Sequence, residues 1–158
     1  MNFDDTPEEA AFRKEVRTFI QSEAPKSQAG MSAEEALVVG WQANQEWFHK
    51  LGKKGWIAPA WPKEYGGAII STVEQFIFNE EMALNKAPRP MHMIIGLGMA
   101  GPTLIVHGTE DQRKKYLPGM LAGDDIWCQG YSEPGAGSDL ASLQTRAVKD
   151  GDDYVING

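Results

Sequence analysis

The chain has 158 residues, 42% hydrophobic and 23% charged, and 22 acidic against 15 basic residues leave a net charge of −7. That apolar share supports a buried core and excludes disorder by composition, while the acidic balance excludes a nucleic-acid partner, which needs clustered Lys and Arg. The one compact basic run, Arg113-Lys114-Lys115, reads as a solvated helix face.

Cys128 is the only cysteine, so neither an intrachain disulfide nor a thiolate metal cluster is supported, and a reducing cytoplasm fits. The start of the chain carries Asp4-Asp5 where a signal peptide would be basic. The longest uncharged stretch, residues 90–108, contains His92, Pro102 and His107 and falls short of the ~20 apolar residues that cross a bilayer. No membrane span is expected.

Helices are predicted first, each with a start signal. Thr6-Pro7-Glu8-Glu9 combines an N-cap, a proline at the first helical position and a glutamate at N3, and Phe12, Val16, Phe19 and Ile20 then share a face. Ser32-Ala33-Glu34-Glu35 repeats the device ahead of Leu37, Trp41, Phe48 and Leu51. Ser71-Thr72-Val73-Glu74 opens a third helix with Val73, Phe76, Ile77, Met82 and Leu84, ending at Pro88 and Pro90. Thr109-Glu110-Asp111-Gln112 opens another, with Tyr116, Leu117, Met120 and Leu121, stopped by Gly123. Residues 55–67, rich in Pro, Gly and aromatics, form a loop whose Trp56 and Trp61 can anchor it by burial.

Residues 91–106 are apolar on every face, which predicts a helix enclosed at the centre of a bundle and broken near Gly101-Pro102. Gly96 and Gly98 are costly inside a helix, by about 1 kcal/mol each relative to Ala. Two readings fit them: close helix packing, or room for an apolar ligand.

After Gly123 the period changes from 3.6 to 2. Residues 125–132 and 140–148 read as strands, Lys149-Asp150-Gly151-Asp152 as a turn, and Tyr154-Val155-Ile156 as a third strand. Helices followed by strands predict an α+β protein, with an all-α helical domain over residues 1–123 and the start of a β domain over 124–158. Asn157-Gly158 is itself a hairpin signal, so the β domain reads as cut short.

Glu133-Pro134-Gly135-Ala136-Gly137-Ser138-Asp139 carries the strongest chemical pattern. Pro134 sets φ for a turn, Gly135 and Gly137 permit positive φ and close approach of a ligand, and Ser138 adds a hydroxyl. It serves as a plain turn or as an anion-binding nest of backbone N–H groups. It is no Walker loop or dinucleotide fingerprint, since no Gly-Lys-Ser/Thr and no helix follow. His49, His92 and His107 lack ligand spacing, and Ser132 and Ser138 have no sequence-local base. Glu80-Glu81 are helix neighbours that point apart, and Cys128 reads as a small buried residue on a strand.

Together these residues resemble the acyl-CoA dehydrogenase superfamily. Residues 127–139, Trp-Cys-Gln-Gly-Tyr-Ser-Glu-Pro-Gly-Ala-Gly-Ser-Asp, are similar to that family's flavin-binding signature on the first strands of its middle β domain. Residues 108–118 resemble the helix before that domain, residues 55–67 the loop after the second helix, and residues 153–158 the strand before a flavin motif containing Lys and Trp. The resemblance implies an N-terminal helical bundle followed by the opening of an antiparallel, barrel-like β domain.

It also implies roles. FAD would lie with its ring against backbone matching Gln129, Gly130, Tyr131 and Ser132, the Ser132 hydroxyl near N5. Gly135 and Gly137 would approach the pyrophosphate and the thioester, and Ser138 would be shared between cofactor and substrate. Met91, Met93, Ile94 and Leu97 become candidate walls of the acyl pocket. The implied reaction is α,β-dehydrogenation of an acyl-CoA thioester, with electron-transfer flavoprotein as acceptor and a homo- or hetero-oligomer, dimer or tetramer, as the assembly. The family's catalytic glutamate belongs to a C-terminal domain beyond residue 158, so residues 1–158 are expected to be inactive alone. Gly96, Gly98 and Gly101 suggest a roomy pocket for a long or polycyclic acyl group. A flavin-dependent oxidase or monooxygenase, or a scaffold subunit without catalysis, shares the same resemblance.

Overall fold

The computed structural model describes residues 4–25, 33–68 and 70–158, and of residues 33–42 only the backbone. The Ser32 cap and the side chains of Leu37 and Trp41 lie outside the described residues. The chain divides into two compact units, one running to Trp127 and one comprising Cys128–Gly158.

Among the described residues the first unit holds five α-helices: α1 (Pro7–Glu23), α2 (Ala33–Lys53), α3 (Thr72–Leu84), α4 (Gly101–His107) and α5 (Glu110–Ala122). Thr6, Ser71 and Thr109 each form the expected capping box, accepting from the N3 amide while the N3 side chain takes the N-cap amide. These bonds satisfy two of the N–H groups that a helix start leaves without partners. Gly123 ends α5 at φ 84°, a left-handed cap open to glycine at little cost.

The core is aromatic. Val16 and Ile20 of α1, Trp47, Phe48 and Leu51 of α2, and Phe78 and Met82 of α3 are buried together with Trp56 and Trp61 from the loop. Phe19 meets Trp56 edge-on at 5.1 Å, and Trp47 Nε1–H donates to the Pro88 carbonyl at 2.9 Å. Gly52 lets α2 cross α5, since a Cβ there would lie 2.1 Å from the Leu121 carbonyl oxygen. The α3 stripe differs from the predicted one: Ile77, Phe78, Glu81 and Met82 are buried, and Val73, Phe76 and Leu84 are exposed.

Glu81 is a buried carboxylate, and its neighbour does not point away from it. Arg13 Nη1 donates to both Glu80 and Glu81, while Arg17 Nε and Nη2 donate to Glu81 at 2.9 and 2.8 Å. The pair converges on α1 through one guanidinium, whose reach exceeds the angular separation of adjacent helical residues.

The charge-free segment is not one enclosed helix. It runs as a 3₁₀ turn (Met91–Met93), a π-helical turn (Gly96–Ala100) and α4. Gly101 N–H donates to the Gly96 carbonyl, the i→i+5 bond of a π turn. In that register the next donor would be residue 102, which is proline and has none. Trp61 Nε1–H takes its place, donating to the Leu97 carbonyl at 3.1 Å. A Cβ on Gly101 would sit 2.0 Å from Trp61 Cζ2, so the glycine is what lets the indole in. Met93 is fully buried, yet Met91, Ile94, Met99 and Val106 are exposed, because no described element packs on that side.

In the second unit, β1 (Arg146–Asp150) and β2 (Asp153–Asn157) form an antiparallel hairpin with Val148 opposite Val155. Asp150 pairs with Asp153, leaving a Gly151-Asp152 loop with Gly151 at φ 64°. The predicted strand over 125–132 is irregular backbone instead, since a strand needs a partner and none lies beside it among the described residues. The predicted strand over 140–148 begins only at Arg146, after a 3₁₀ turn at Leu140–Ser142. Cys128 is exposed and on no strand.

Candidate functional site

The predicted site residues fall in both units. In the helical unit, the break at Pro88 and Pro90 turns the chain off α3 and lays the 91–98 segment across the Trp56–Trp61 loop. The space between them is a cavity of about 350 Å³. Trp56, Trp61, Phe78 and Met82 form part of its wall, and Met91, Ile94 and Leu97 form another part. Met93 does not: it points into the core, fully buried.

The three glycines of the segment separate by role. Gly96 and Gly101 serve packing, against Trp127 Cδ1 at 3.1 Å and Trp61 Cζ2 at 2.0 Å from a notional Cβ. Gly98 borders the cavity, and its notional Cβ meets only Ile94 Cγ1 at 4.0 Å. Packing and ligand room, both left open by the sequence, divide among them. The polar members of the cavity lining are Gln75, Asn79 and Arg89, which sequence reasoning passed over. The readable signal was Arg89 itself, a lone cation between two prolines at the edge of a charge-free stretch.

His92 stacks obliquely on Phe48 at 5.2 Å, and burial holds its imidazole below the usual histidine range. His49 Nε2 lies 2.8 Å from Asp124 Oδ1. No group of three or more metal-ligating side chains occurs among the described residues.

In the second unit, Gln129, Gly130, Tyr131 and Ser132 are exposed, as are Gly135, Gly137 and Ser138. A tight turn closes between Glu133 and Ala136, which exchange two backbone bonds at 3.0 Å. Neither Gly135 nor Gly137 takes positive φ, contrary to expectation. What glycine supplies here is access: a Cβ at 130, 135 or 137 would meet nothing within 4 Å. The N–H groups of Gly137 and Ser138, and the hydroxyls of Ser132 and Ser138, have no protein acceptor among the described residues.

Glu133, which carried no role in the sequence beyond its place in the pattern, holds this loop. Its carboxylate accepts the Gln144 and Thr145 N–H groups at 2.9 and 2.8 Å, and hydrogen bonding from the Thr145 side chain, with these two amides adding to it, keeps it below the usual carboxylate range. The donors of the turn are thereby presented outward on a tethered backbone. Such a donor set fits the phosphates and ring edge of a flavin dinucleotide.

Comparison with known proteins bears on both units. Residues 6–124 match the family description "Acyl-CoA dehydrogenase, N-terminal domain". The chain belongs to the acyl-CoA dehydrogenase family. It is 40% identical over 154 residues to acyl-CoA dehydrogenase FadE26 of Mycobacterium tuberculosis, a match covering 97% of this chain and 38% of that protein. The fold superimposes with a TM-score of 0.72 on a chain of the ChsE4-ChsE5 complex of M. tuberculosis, at 39% identity over 100% of this chain and 39% of that one. It superimposes with a TM-score of 0.73 on the Tcur3481-Tcur3483 steroid ACAD, at 41% identity over 100% of this chain and 40% of the other. The chain thus spans about two fifths of the length of these relatives. No helix among the described residues is long and apolar enough to cross a membrane.

Proposed function

We propose that the chain supplies the helical acyl-binding wall and the first flavin-contacting loop of an FAD-dependent acyl-CoA dehydrogenase, which introduces an α,β double bond into an acyl-CoA thioester. The observation that carries this reading is the Glu133-tethered turn, whose outward N–H and hydroxyl donors are without protein acceptors among the described residues. Bound FAD would supply the hydride-accepting ring. The chain's own residues bind and orient: Gln129, Gly130, Tyr131 and Ser132 offer backbone and side-chain donors to the ring edge, and Gly135, Gly137 and Ser138 offer N–H groups and a hydroxyl to phosphate and thioester oxygens. Met91, Ile94 and Leu97 exclude water from the acyl group. Met93 acts behind them as a core residue.

The catalytic base is assigned to none of these residues, so residues 1–158 alone are inactive. Electron-transfer flavoprotein is the acceptor, the assembly is a dimer or tetramer, and the compartment is the cytoplasm. The domain boundary by function lies at residues 123/124, and the helical compact unit extends four residues past it to Trp127, whose ring packs against Tyr116. Similarity to a steroid ACAD, together with the space beside Gly98, supports a bulky polycyclic acyl group.

The test is made on the protein at its relatives' full length. It should purify yellow or take up FAD on reconstitution, and acyl-CoA should bleach the flavin under anaerobic conditions. Failure to bind FAD refutes the reading. Rapid reaction of the reduced protein with oxygen would move it to the oxidase branch, and a preference for four-carbon over polycyclic thioesters would remove the roomy pocket.

A further inference from the structure

The cavity of the helical unit has a chemical asymmetry that its acyl-binding role does not use. Most of its wall is hydrocarbon or indole, yet Gln75, Asn79 and Arg89 gather at one part of it. They are linked: Arg89 Nη2 donates to the Asn79 carbonyl at 2.9 Å, Asn79 Nδ2 to the Gln75 carbonyl at 2.8 Å, and Gln75 Nε2 to the Ile70 carbonyl at 3.0 Å. Each side chain is therefore held by backbone, and each keeps hydrogen-bonding capacity in reserve. The Asn79 and Gln75 amide oxygens remain acceptors, and the guanidinium has used one of its five N–H groups.

Arg89 also stands apart from the arginines of α1. Arg13 and Arg17 lie against Glu80, Glu81 and Asp5, whereas Arg89 has no carboxylate partner among the described residues. Arg89 and Asn79 are exposed at the edge of the cavity and Gln75 is half-buried. An apolar group that fills the space shields the N–H groups facing it from water, and an oxygen acceptor on the occupant replaces the water they lose.

We infer that Arg89, flanked by Gln75 and Asn79, recognises an oxygen acceptor on the acyl group, so that the thioester accepted here carries a carboxylate, keto or hydroxyl oxygen on its hydrocarbon and not a bare alkyl chain. This rests on the acyl-CoA reading above. The competing occupant for one guanidinium is a phosphate of the CoA moiety, which every acyl-CoA shares.

The experiment uses the flavin-loaded, full-length protein and pairs of CoA thioesters of equal carbon count, one with a terminal carboxylate or ketone and one unsubstituted. The readout is the ratio of kcat/KM within each pair, for wild type, Arg89→Gln and Arg89→Lys, with flavin absorbance and thermal midpoint reporting that each variant is folded. Wild type should favour the oxygenated partner. Arg89→Gln should cut that ratio roughly 10- to 100-fold, the effect of a charge-assisted bond, and Arg89→Lys should restore part of it. Asn79→Ala, which removes an acceptor but no charge, should lower the ratio less. Equal losses for both members of a pair would assign Arg89 to the CoA phosphates and overturn the inference, as would a wild-type enzyme indifferent to the oxygen. A wild type that binds FAD but turns over no thioester of either kind would instead fail the acyl-CoA reading, and the inference with it.

Discussion

Replacing Glu81 by alanine should destabilise the helical unit more than any surface change on α3. The carboxylate is 0% exposed and accepts from Arg17 Nε at 2.9 Å, Arg17 Nη2 at 2.8 Å, Arg13 Nη1 at 3.2 Å and Asn85 Nδ2 at 3.3 Å. Removing one partner of a fully buried pair costs about 3–5 kcal/mol, because the other charge is left without compensation. Here the arginines are partly relieved: the Arg17 side chain is 49% exposed and can turn to water, and Arg13 keeps Asp5 and Glu80. The small void left by the truncated side chain works the other way. The expected loss for Glu81→Ala is therefore about 2–3 kcal/mol, and about 1 kcal/mol less for Glu81→Gln, which retains shape and one acceptor. With a urea m-value of about 2 kcal/mol/M, the alanine variant should lose roughly 1–1.5 M in its midpoint. Tryptophan fluorescence isolates the right unit, since all five tryptophans lie at or before Trp127. A loss below about 0.5 kcal/mol, the level of an ordinary surface substitution, would refute the idea that this network ties α1 to α3.

The same carboxylate should shape the acid limb. Hydrogen bonds from Arg17, with Arg13 adding to them, hold Glu81 below the usual carboxylate range against the opposing effect of burial, so its stabilisation is complete above the unfolded value of about 4.3 and is lost as pH falls through the folded one. Equilibrium unfolding from pH 6 to 3 should fall more steeply for wild type than for Glu81→Gln, and parallel curves would contradict this. Gly101→Ala should cost about 1–3 kcal/mol by forcing Trp61 aside, whereas Gly98→Ala should be neutral or stabilising, and thermal midpoints of the two variants decide it. Ser71→Ala should cost about 1 kcal/mol through loss of the α3 cap, read by chemical denaturation. Glu133→Gln should speed hydrogen exchange at the Gln144 and Thr145 amides, and unchanged exchange there would remove Glu133 as the tether of the flavin loop.

How far each feature could be read in advance follows from its range along the chain. Thr6, Ser71 and Thr109 reach only to the residue three positions on, so their boxes were visible as short patterns and recur in the structure. The Asp150-Gly151 turn and the Gly123 cap are equally local. The extended reading of residues 125–132 failed because period-2 alternation describes a chain that could pair, and pairing depends on a distant neighbour. Burial of Glu81 was illegible in α3 alone, since the groups that make it tolerable are on α1, 64 and 68 positions away. Within the candidate site, the glycines of 129–138 announced an approachable backbone, but the tether that presents it comes from Glu133 closing on residues 144 and 145.

The sequence by itself determined where helices start, where the chain turns, and which family motif the 127–139 segment carries, because propensity, capping and turn chemistry act over three to five residues. Only the tertiary structure decided that residues 91–107 pass through 3₁₀, π and α geometry. That outcome needed Trp61, some forty residues upstream in the chain, to donate to the carbonyl that Pro102 leaves unpaired and to occupy the space that Gly101 leaves free. It also decided that Met93 joins the core while Met91, Ile94 and Leu97 border a cavity, and that Arg89 stands beside it with no carboxylate partner among the described residues. Apolar character announces that a residue will be buried somewhere; which surface buries it, or leaves it as the wall of a pocket, is settled by the shape of the partners that pack against it.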